Sequence, residues 1–413
     1  MCCYSRTVRV VFLSPSYPPE MVHYTLGLAR VGVQVFGVGD APAAGFSPEL
    51  KAALTNYLQV PAIMDESDTM ERVRQWLRGR SVDRILANWE PLVLLAARMR
   101  ERWGVPGMSV DAVRGFRDKE LMKTRLRQAG LRVPRSRRAR TEREVREAAE
   151  VIGFPMVIKP ISGAGSADTH RVDDARDLDA ILPSLRHVRE ASCEEYVIGE
   201  EYTYDTLCVN GRPVYENVAH YLPKPIEARS QEWISPVIIT VRDLKQVRLQ
   251  AGIELGRSAL QALGMGDGFT HMEWFSTPDG EAVFGEVGCR PGGAHLVDQM
   301  NYTSDDDLFT EWARVVCHGS FRGSGQRKFN VAIVFKRALG RGRITRIEGL
   351  EAWKRQAGSS FVHDALLRPG QPRRNWKNTL LSDGHLLLRH PDFEEARRLA
   401  FAAATDVTMY AEV

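Results

Sequence analysis

Cysteine is scarce and scattered in this chain of 413 residues. The six (Cys2, Cys3, Cys193, Cys208, Cys289 and Cys317) show no spacing that resembles a zinc site. A chain of this length needs no disulfide framework, so the thiols read as reduced and structural. Nowhere do apolar residues run to the ~18 that a membrane span requires. Residues 8–13 form a strand-length run, not the apolar core of a secretory leader. Excess charge of one sign is missing too: 56 Lys and Arg against 52 Asp and Glu leave +4, which supplies no argument for a nucleic-acid partner. A cytoplasmic protein with neither nucleic acid nor membrane as partner is expected.

Familiar catalytic signatures are absent as well. After the first strand comes Ser14-Pro15-Ser16-Tyr17-Pro18-Pro19, whose prolines cannot make the close glycine-rich turn of a dinucleotide site. The P-loop order of glycine, lysine and serine does not occur, and no Ser/His/Asp or Cys/His grouping stands out. Chemistry that needs no protein nucleophile is therefore expected.

What is present is a globular composition, 44% hydrophobic and 26% charged, at a length that predicts two to four domains. Over residues 1–112 strand signals (8–13, 33–38, 84–87) alternate with helix signals (after Pro19, and 91–102), the pattern of a parallel sheet with crossover helices. A second unit, 113–195, opens on a helix capped by Asp118. A second helix follows, with Thr141 and Glu144 as a capping box and Val145, Ala148, Ala149 and Ile152 along one face. A short buried strand, 154–160, then delivers Lys159 into Ser162-Gly163-Ala164-Gly165-Ser166. The arginine-rich stretch 132–146 is interleaved with glutamates and reads as a solvated linker and helix face.

Residues 196–322 read as antiparallel strands with a long helix at 244–263 and a hairpin of 269–276 with 281–288. Residues 323–413 are expected as a small C-terminal domain.

The hairpin carries the strongest chemical signal. Asp279-Gly280 is a turn. A two-residue loop sets Glu273 directly opposite Glu286, whereas a four-residue loop sets Glu273 opposite Phe284 with Glu286 diagonal to it. Either register puts both carboxylates on one face. Adjacent carboxylates repel, so such a pair wants a cation, and hard oxygen ligands suit Mg²⁺. Arg290, four residues beyond Glu286, adds a fixed positive charge of the kind phosphoryl transfer uses. Lys159, with the small residues after it, offers a point charge and open backbone N–H groups to phosphate.

Taken in order, Arg117-Asp118-Lys119, Phe154-Pro155-Met156-Val157-Ile158-Lys159-Pro160, Glu194-Glu195-Tyr196-Val197-Ile198-Gly199-Glu200-Glu201-Tyr202, His271-Met272-Glu273, Glu286 and Arg290 resemble the ATP-grasp superfamily. The match looks closest to amino-acid (dipeptide-forming) carboxylate–amine ligases. The resemblance implies an α/β and α+β multidomain fold: a parallel α/β domain ahead of the grasp and a small α+β domain after it.

It also implies roles. Lys119 and Lys159, with Gly163, Gly165 and Ser166 as a lid, contact ATP phosphates. Residues 194–197, among them Glu194, Glu195 and Val197, meet the adenine edge through backbone and carboxylate, and Glu201 holds the ribose. Glu273 and Glu286 bind Mg²⁺, or Mn²⁺ in its place. Arg290 stabilises the transition state, and His271 contacts phosphate or substrate. One departure is Gly288, where many relatives have asparagine, which implies a changed metal shell.

The activity implied is ATP-dependent coupling of a small-molecule carboxylate to an amine through an acyl phosphate, in a homodimer. A carboxylase or purine-pathway ligase of the same fold is the enzyme alternative, and an inactive nucleotide-binding regulator the non-enzyme one. The regulator reading has no chemical use for Lys119, Lys159, Glu273, Glu286 and Arg290 together. The segment 221–233, with Tyr221, Lys224, Glu227, Arg229 and Trp233, is read as a loop over the acceptor, Arg229 or Lys224 facing a carboxylate and Glu227 an ammonium.

Overall fold

The computed structural model describes residues 7–161, 168–377, 379 and 381–413. Alternation of buried strands and amphipathic helices builds the first unit: a four-stranded parallel sheet in the order Asn56–Gln59, Gln34–Gly39, Arg9–Leu13, Arg84–Leu86. Val10 to Leu13 are fully buried, as a strand covered on both faces requires. The strand Asn56–Gln59 and the helix Glu66–Trp76 escaped the sequence reading. The strand is short and half polar, and the helix carries little apolar periodicity.

The second unit is a four-stranded antiparallel sheet, ordered Ser136–Ala139, Ala191–Glu195, Met156–Pro160, His170–Val172. Its helix Glu142–Ile152 begins with the expected capping box and buries Val145, Ala148, Ala149 and Ile152 against that sheet. The helix Lys119–Gln128 starts where Asp118 accepts hydrogen bonds from the amides of Glu120 (3.1 Å) and Leu121 (3.0 Å). That cap places Lys119 at the first helical position.

The third sheet has eight strands: Ala282–Gly288, Gly268–Ser276, Glu200–Val209, Arg212–Leu222, Val237–Thr240, Asn330–Phe335, His385–His390, Phe361–Asp364. The last three come from beyond residue 323. The C-terminal segment, read as a domain of its own, thus extends the central sheet, and only Leu339–Gly340, Arg343–Glu348 and Thr408–Glu412 form a separate small sheet. Sequence pattern cannot reveal which strands pair across such distances.

The long helix Val247–Leu263 lies on one face of the large sheet. Its glycines at 252 and 256 meet Trp274 and Tyr204 so closely that an added Cβ would stand 2.3 and 2.2 Å from their rings. This i, i+4 pair of absent side chains lets the helix seat on two fully buried aromatics. On the opposite face the helices Leu296–Ser304 and Leu308–His318 cover part of the sheet, and the rest lines the cleft.

Candidate active site

Period-two alternation on the strand Gly268–Ser276 sends Met272 and Trp274 into the core and His271, Glu273 and Phe275 into the cleft. Directly across, on Glu200–Val209, Asp205, Thr203 and Glu201 face those three in turn. On its other side the strand pairs with Ala282–Gly288. There Ser276 faces Ala282, and the Thr277 amide donates to the Glu281 carbonyl (3.0 Å), closing the three-residue loop Pro278-Asp279-Gly280. Gly280 has φ +86°, the left-handed position such a loop demands.

Neither loop length read from the sequence is the one found. Continued unbroken, this odd-numbered loop would pair Glu273 with Gly285 and send Glu286 to the core face. A β-bulge corrects it: Trp274 pairs with Phe284, Gly285 is the extra residue, and Glu273 then pairs with Glu286. The expected juxtaposition of the two carboxylates is therefore reached by a different route.

The ten described residues expected to meet nucleotide, metal or the transferring phosphoryl group line one cavity of about 630 Å³: Lys119, Lys159, Glu194, Glu195, Val197, Glu201, His271, Glu273, Glu286 and Arg290. Gly163, Gly165 and Ser166 lie outside the described residues. Lys119 Nζ is 3.1 Å from Glu286 Oε2, and Lys159 Nζ is 3.1 Å from Glu194 Oε2 and 3.7 Å from Glu286 Oε2. Burial opposes ionisation of Glu286, but Lys119 and Lys159 win and hold its pKa at about 2. Burial likewise works against the Lys159 charge, and Glu194 and Glu286 override it, raising its pKa.

His271 Nδ1 donates to Asp205 Oδ1 at 2.6 Å, and Nε2 lies 3.8 Å from Glu273. Burial disfavours the imidazolium, yet Asp205 lifts the pKa to about 9, so the ring is a cation at neutral pH. Asp205 is itself held by Thr203 Oγ1 (2.7 Å) and Asn217 Nδ2 (3.0 Å). Glu201 goes the other way: burial, and then the neighbouring Glu273, push its pKa well up.

The two carboxylates expected at the adenine edge both have partners within the protein. Glu194 is 4% exposed and is the counter-ion of Lys123 and Lys159, which keep it ionised with a pKa of about 2 against the cost of burial. The Glu195 carboxylate is taken by Arg132 and Arg135, one on each oxygen. Both carboxylates are thus engaged by cations of the chain itself. Lys224 flanks the residues that follow, its Nζ 3.4 Å from the Val197 carbonyl and 5.0 Å from the Tyr196 ring centroid.

The sequence reading missed Glu90. It follows the strand Arg84–Leu86, at the carboxyl end of a parallel sheet, where ligand sites gather; that position was its only signal. Its carboxylate bridges Arg290 Nε and Arg117 Nη1. Burial would raise its pKa, and Arg290 and Arg117 together lower it. Arg290 Nη1 also donates to the Pro291 carbonyl (2.7 Å), so the guanidinium is held before any ligand arrives. Gly288 now has a steric reason: a Cβ there would lie 3.3 Å from both Arg290 Cγ and Glu90 Oε2. Asparagine would crowd the pair that holds the arginine.

Replacing Glu90 by Gln removes the one carboxylate shared by Arg117 and Arg290, whose side chains are only 17% and 16% exposed. The expected loss is roughly 3 kcal/mol, the lower range for breaking a buried pair, read in denaturant melts, with kcat falling alongside.

The segment 221–233 is not a bare loop. The strand Arg212–Leu222 ends in it and a helical turn, Pro225–Ala228, follows. Tyr221, Lys224 and Arg229 line the cavity; Glu227 does not, and Trp233 is 72% exposed. The ammonium contact expected of Glu227 has no support in this placement.

Among the described residues no three His, Cys, Asp or Glu side chains converge well enough to hold a metal alone. Two facing carboxylates beside two lysines suit Mg²⁺ taken up with phosphate oxygens and water, the way this ion is commonly held. No helix of the described residues is long and apolar enough to cross a membrane.

With this geometry in place, the relatives become informative. Residues 116–220 match the ATP-grasp domain family, and the arrangement of sheets around the cleft is the ATP-grasp fold. It is 26% identical over 221 residues to the L-arginine-specific L-amino acid ligase of Bacillus subtilis, a match covering 52% of each chain. The chain thus spans about half the length of the curated relatives it matches. The crystal structure of an L-amino acid ligase from Bacillus licheniformis superimposes with a TM-score of 0.79 at 20% identity, covering 99% of this chain and 100% of that one. Phosphoribosylglycinamide synthetase from Anaerococcus prevotii superimposes with a TM-score of 0.71 at 12% identity, over 98% and 100%. At these identities the two structures speak to fold.

Proposed function

We propose that the protein is an ATP-dependent carboxylate–amine ligase that activates a small carboxylate, an amino acid or a related acid, as an acyl phosphate and couples it to an amine with release of ADP and phosphate. The observation that carries this reading is the facing pair Glu273 and Glu286, flanked in one cavity by Lys119, Lys159, His271 and Arg290. ATP with Mg²⁺, or Mn²⁺, supplies the phosphoryl group and neutralises its charge. Glu273 and Glu286 would hold the metal. Lys119 and Lys159 turn from Glu286 toward phosphate oxygens.

Arg290, fixed by Glu90, and the His271 cation, fixed by Asp205, aim positive charge at the oxygens that gain it as the phosphoryl group moves. Such preorganised groups need no reorganisation during reaction. No side chain has to act as nucleophile, because the substrate carboxylate attacks phosphorus and the amine then attacks the activated acyl carbon.

The test is a phosphate-release screen with amino acids offered singly and in pairs, with hydroxylamine replacing the amine in parallel. The expected result is release that depends on an acid, and a hydroxamate when hydroxylamine is the acceptor. Turnover confined to bicarbonate or ribonucleotide substrates would move the protein to the carboxylase or purine-type reading. Tight ATP binding with no release across the screen would leave the regulator.

A further inference from the structure

A row of polar side chains runs sideways across the large sheet, beginning at the cleft. His271 on Gly268–Ser276 pairs with Asp205 on Glu200–Val209, and Asp205 pairs with Asn217 on Arg212–Leu222. Residues paired across strands share a face, so these three buried side chains stand in line. The next strand, Val237–Thr240, ends before its register could supply a fourth member. Arg327 reaches Asn217 there instead, from the connection between the helix Leu308–His318 and the strand Asn330–Phe335.

Hydrogen bonds tie the row together. Arg327 Nη2 donates to Asn217 Oδ1 (2.8 Å), Asn217 Nδ2 donates to Asp205 Oδ2 (3.0 Å), and His271 Nδ1 donates to Asp205 Oδ1 (2.6 Å). Arg327 is itself fixed on backbone. Its Nη1 donates to the Glu216 carbonyl (3.0 Å), its Nη2 to that of Val241 (2.6 Å) and its Nε to that of Arg242 (3.2 Å).

A guanidinium has donors and no acceptor. The Asn217 oxygen must therefore face Arg327, which leaves its NH₂ to face Asp205. Thr203 Oγ1 donates to Asp205 Oδ2 as well (2.7 Å), so Asp205 meets donors on both oxygens and cannot rotate without losing them. Were the Asn217 amide turned over, oxygen would meet oxygen at Asp205. That carboxylate would swing away, and the His271 ring with it.

Resting on the ligase reading above, we infer that Asn217 and Arg327 are positioning residues for the reaction: through Asp205 they hold the His271 ring with Nε2 turned to the cleft and the transferring phosphoryl group. Neither residue lines the cavity. Their effect on the chemistry passes through His271.

Two readouts test this on the full chain. A short bond to a carboxylate is charge-assisted and moves an imidazole N–H far downfield while slowing its exchange. Proton NMR without nucleotide should show such a signal, assigned by its absence from His271→Gln. Turnover is followed as phosphate release from ATP and Mg²⁺ with a mixture of the standard amino acids. Arg327→Met should lose the signal and lower kcat about 10–100-fold, the usual cost of freeing a group that orients a site residue. The KM for ATP should stay within about twofold, since no binding contact is removed. Arg327→Lys still donates to Asn217 and should keep the signal and most of kcat. Added to His271→Gln, Arg327→Met should lower kcat no further. If Arg327→Met melts early for want of its carbonyl contacts, Asn217→Leu replaces it, because Arg327 then stays on the backbone and only the amide is lost.

A signal that persists in both variants overturns the inference. Turnover that survives loss of the signal does so too, as do losses that add to that of His271→Gln. Absence of amino-acid-dependent release from the native chain sinks the ligase reading instead. The signal then decides the row by itself: its loss in Arg327→Met keeps Arg327 as the residue that holds His271, and its persistence removes it.

Discussion

Glu286→Gln and Glu273→Gln are each expected to cut ATP-dependent turnover by about two orders of magnitude or more, the scale of losing one preorganised charge-stabilising group. The fold should survive. Both side chains are about a quarter exposed (27% and 25%), and Lys159 keeps Glu194 as its counter-ion, so stability should move by only about 1 kcal/mol. Glutamine keeps the shape and removes the anion, which isolates charge as the cause. The two residues face each other across the hairpin and serve one ion, so the double variant should be little worse than either single one. Steady-state rates over a range of Mg²⁺ concentrations, with thermal melts alongside, decide the matter. Near-wild-type turnover in both single variants would remove the metal assignment.

Gly285→Val is expected to cost as much turnover as Glu286→Gln while leaving every charged group of the site in the sequence. An added Cβ at 285 would stand 2.7 Å from the Glu273 carbonyl oxygen and 3.1 Å from its carbon. Both are backbone atoms that cannot swing aside. Forced out of the bulge, the strand returns to the register set by its loop, in which Glu286 pairs with Met272 and turns from the cleft toward the core. The overpacking itself should cost roughly 1–3 kcal/mol, so the protein should still fold. The discriminating measurement is the double variant. If Gly285 acts by placing Glu286, adding Glu286→Gln to Gly285→Val lowers kcat no further. Additive losses would mean that the glycine matters for some other reason.

That glycine marks the boundary of what residue order can disclose. Alternation in His271-Met272-Glu273-Trp274-Phe275 already assigned a cleft face and a core face, because side-chain direction along a strand has a period of two. The Asp118 cap and the Thr141–Glu144 box already positioned Lys119 and the helix Glu142–Ile152, because capping is a contact among near neighbours. The order of loosely matching motifs sufficed for the resemblance, since each motif sits on an element whose local pattern is intact. The arginine-rich stretch, by contrast, includes Arg132, Arg135 and Arg138, which pair with Glu195, Glu190 and Asp118, and no local rule names such partners.

Residue order alone, then, decided the fold class, the carboxylate–lysine–arginine chemistry and the strand face that bears it, all of which follow from interactions spanning a few residues. Tertiary structure decided the rest. It set Glu90 against Arg290 across 200 positions, paired the Glu194 carboxylate with Lys123, and carried three strands from beyond residue 323 into the central sheet. It also drew Arg327 up to Asn217, in line with Asp205 and His271. Each of these depends on which distant segments meet, and that is settled by burying the faces of sheets and helices against one another, an outcome the local periodicities permit but do not specify.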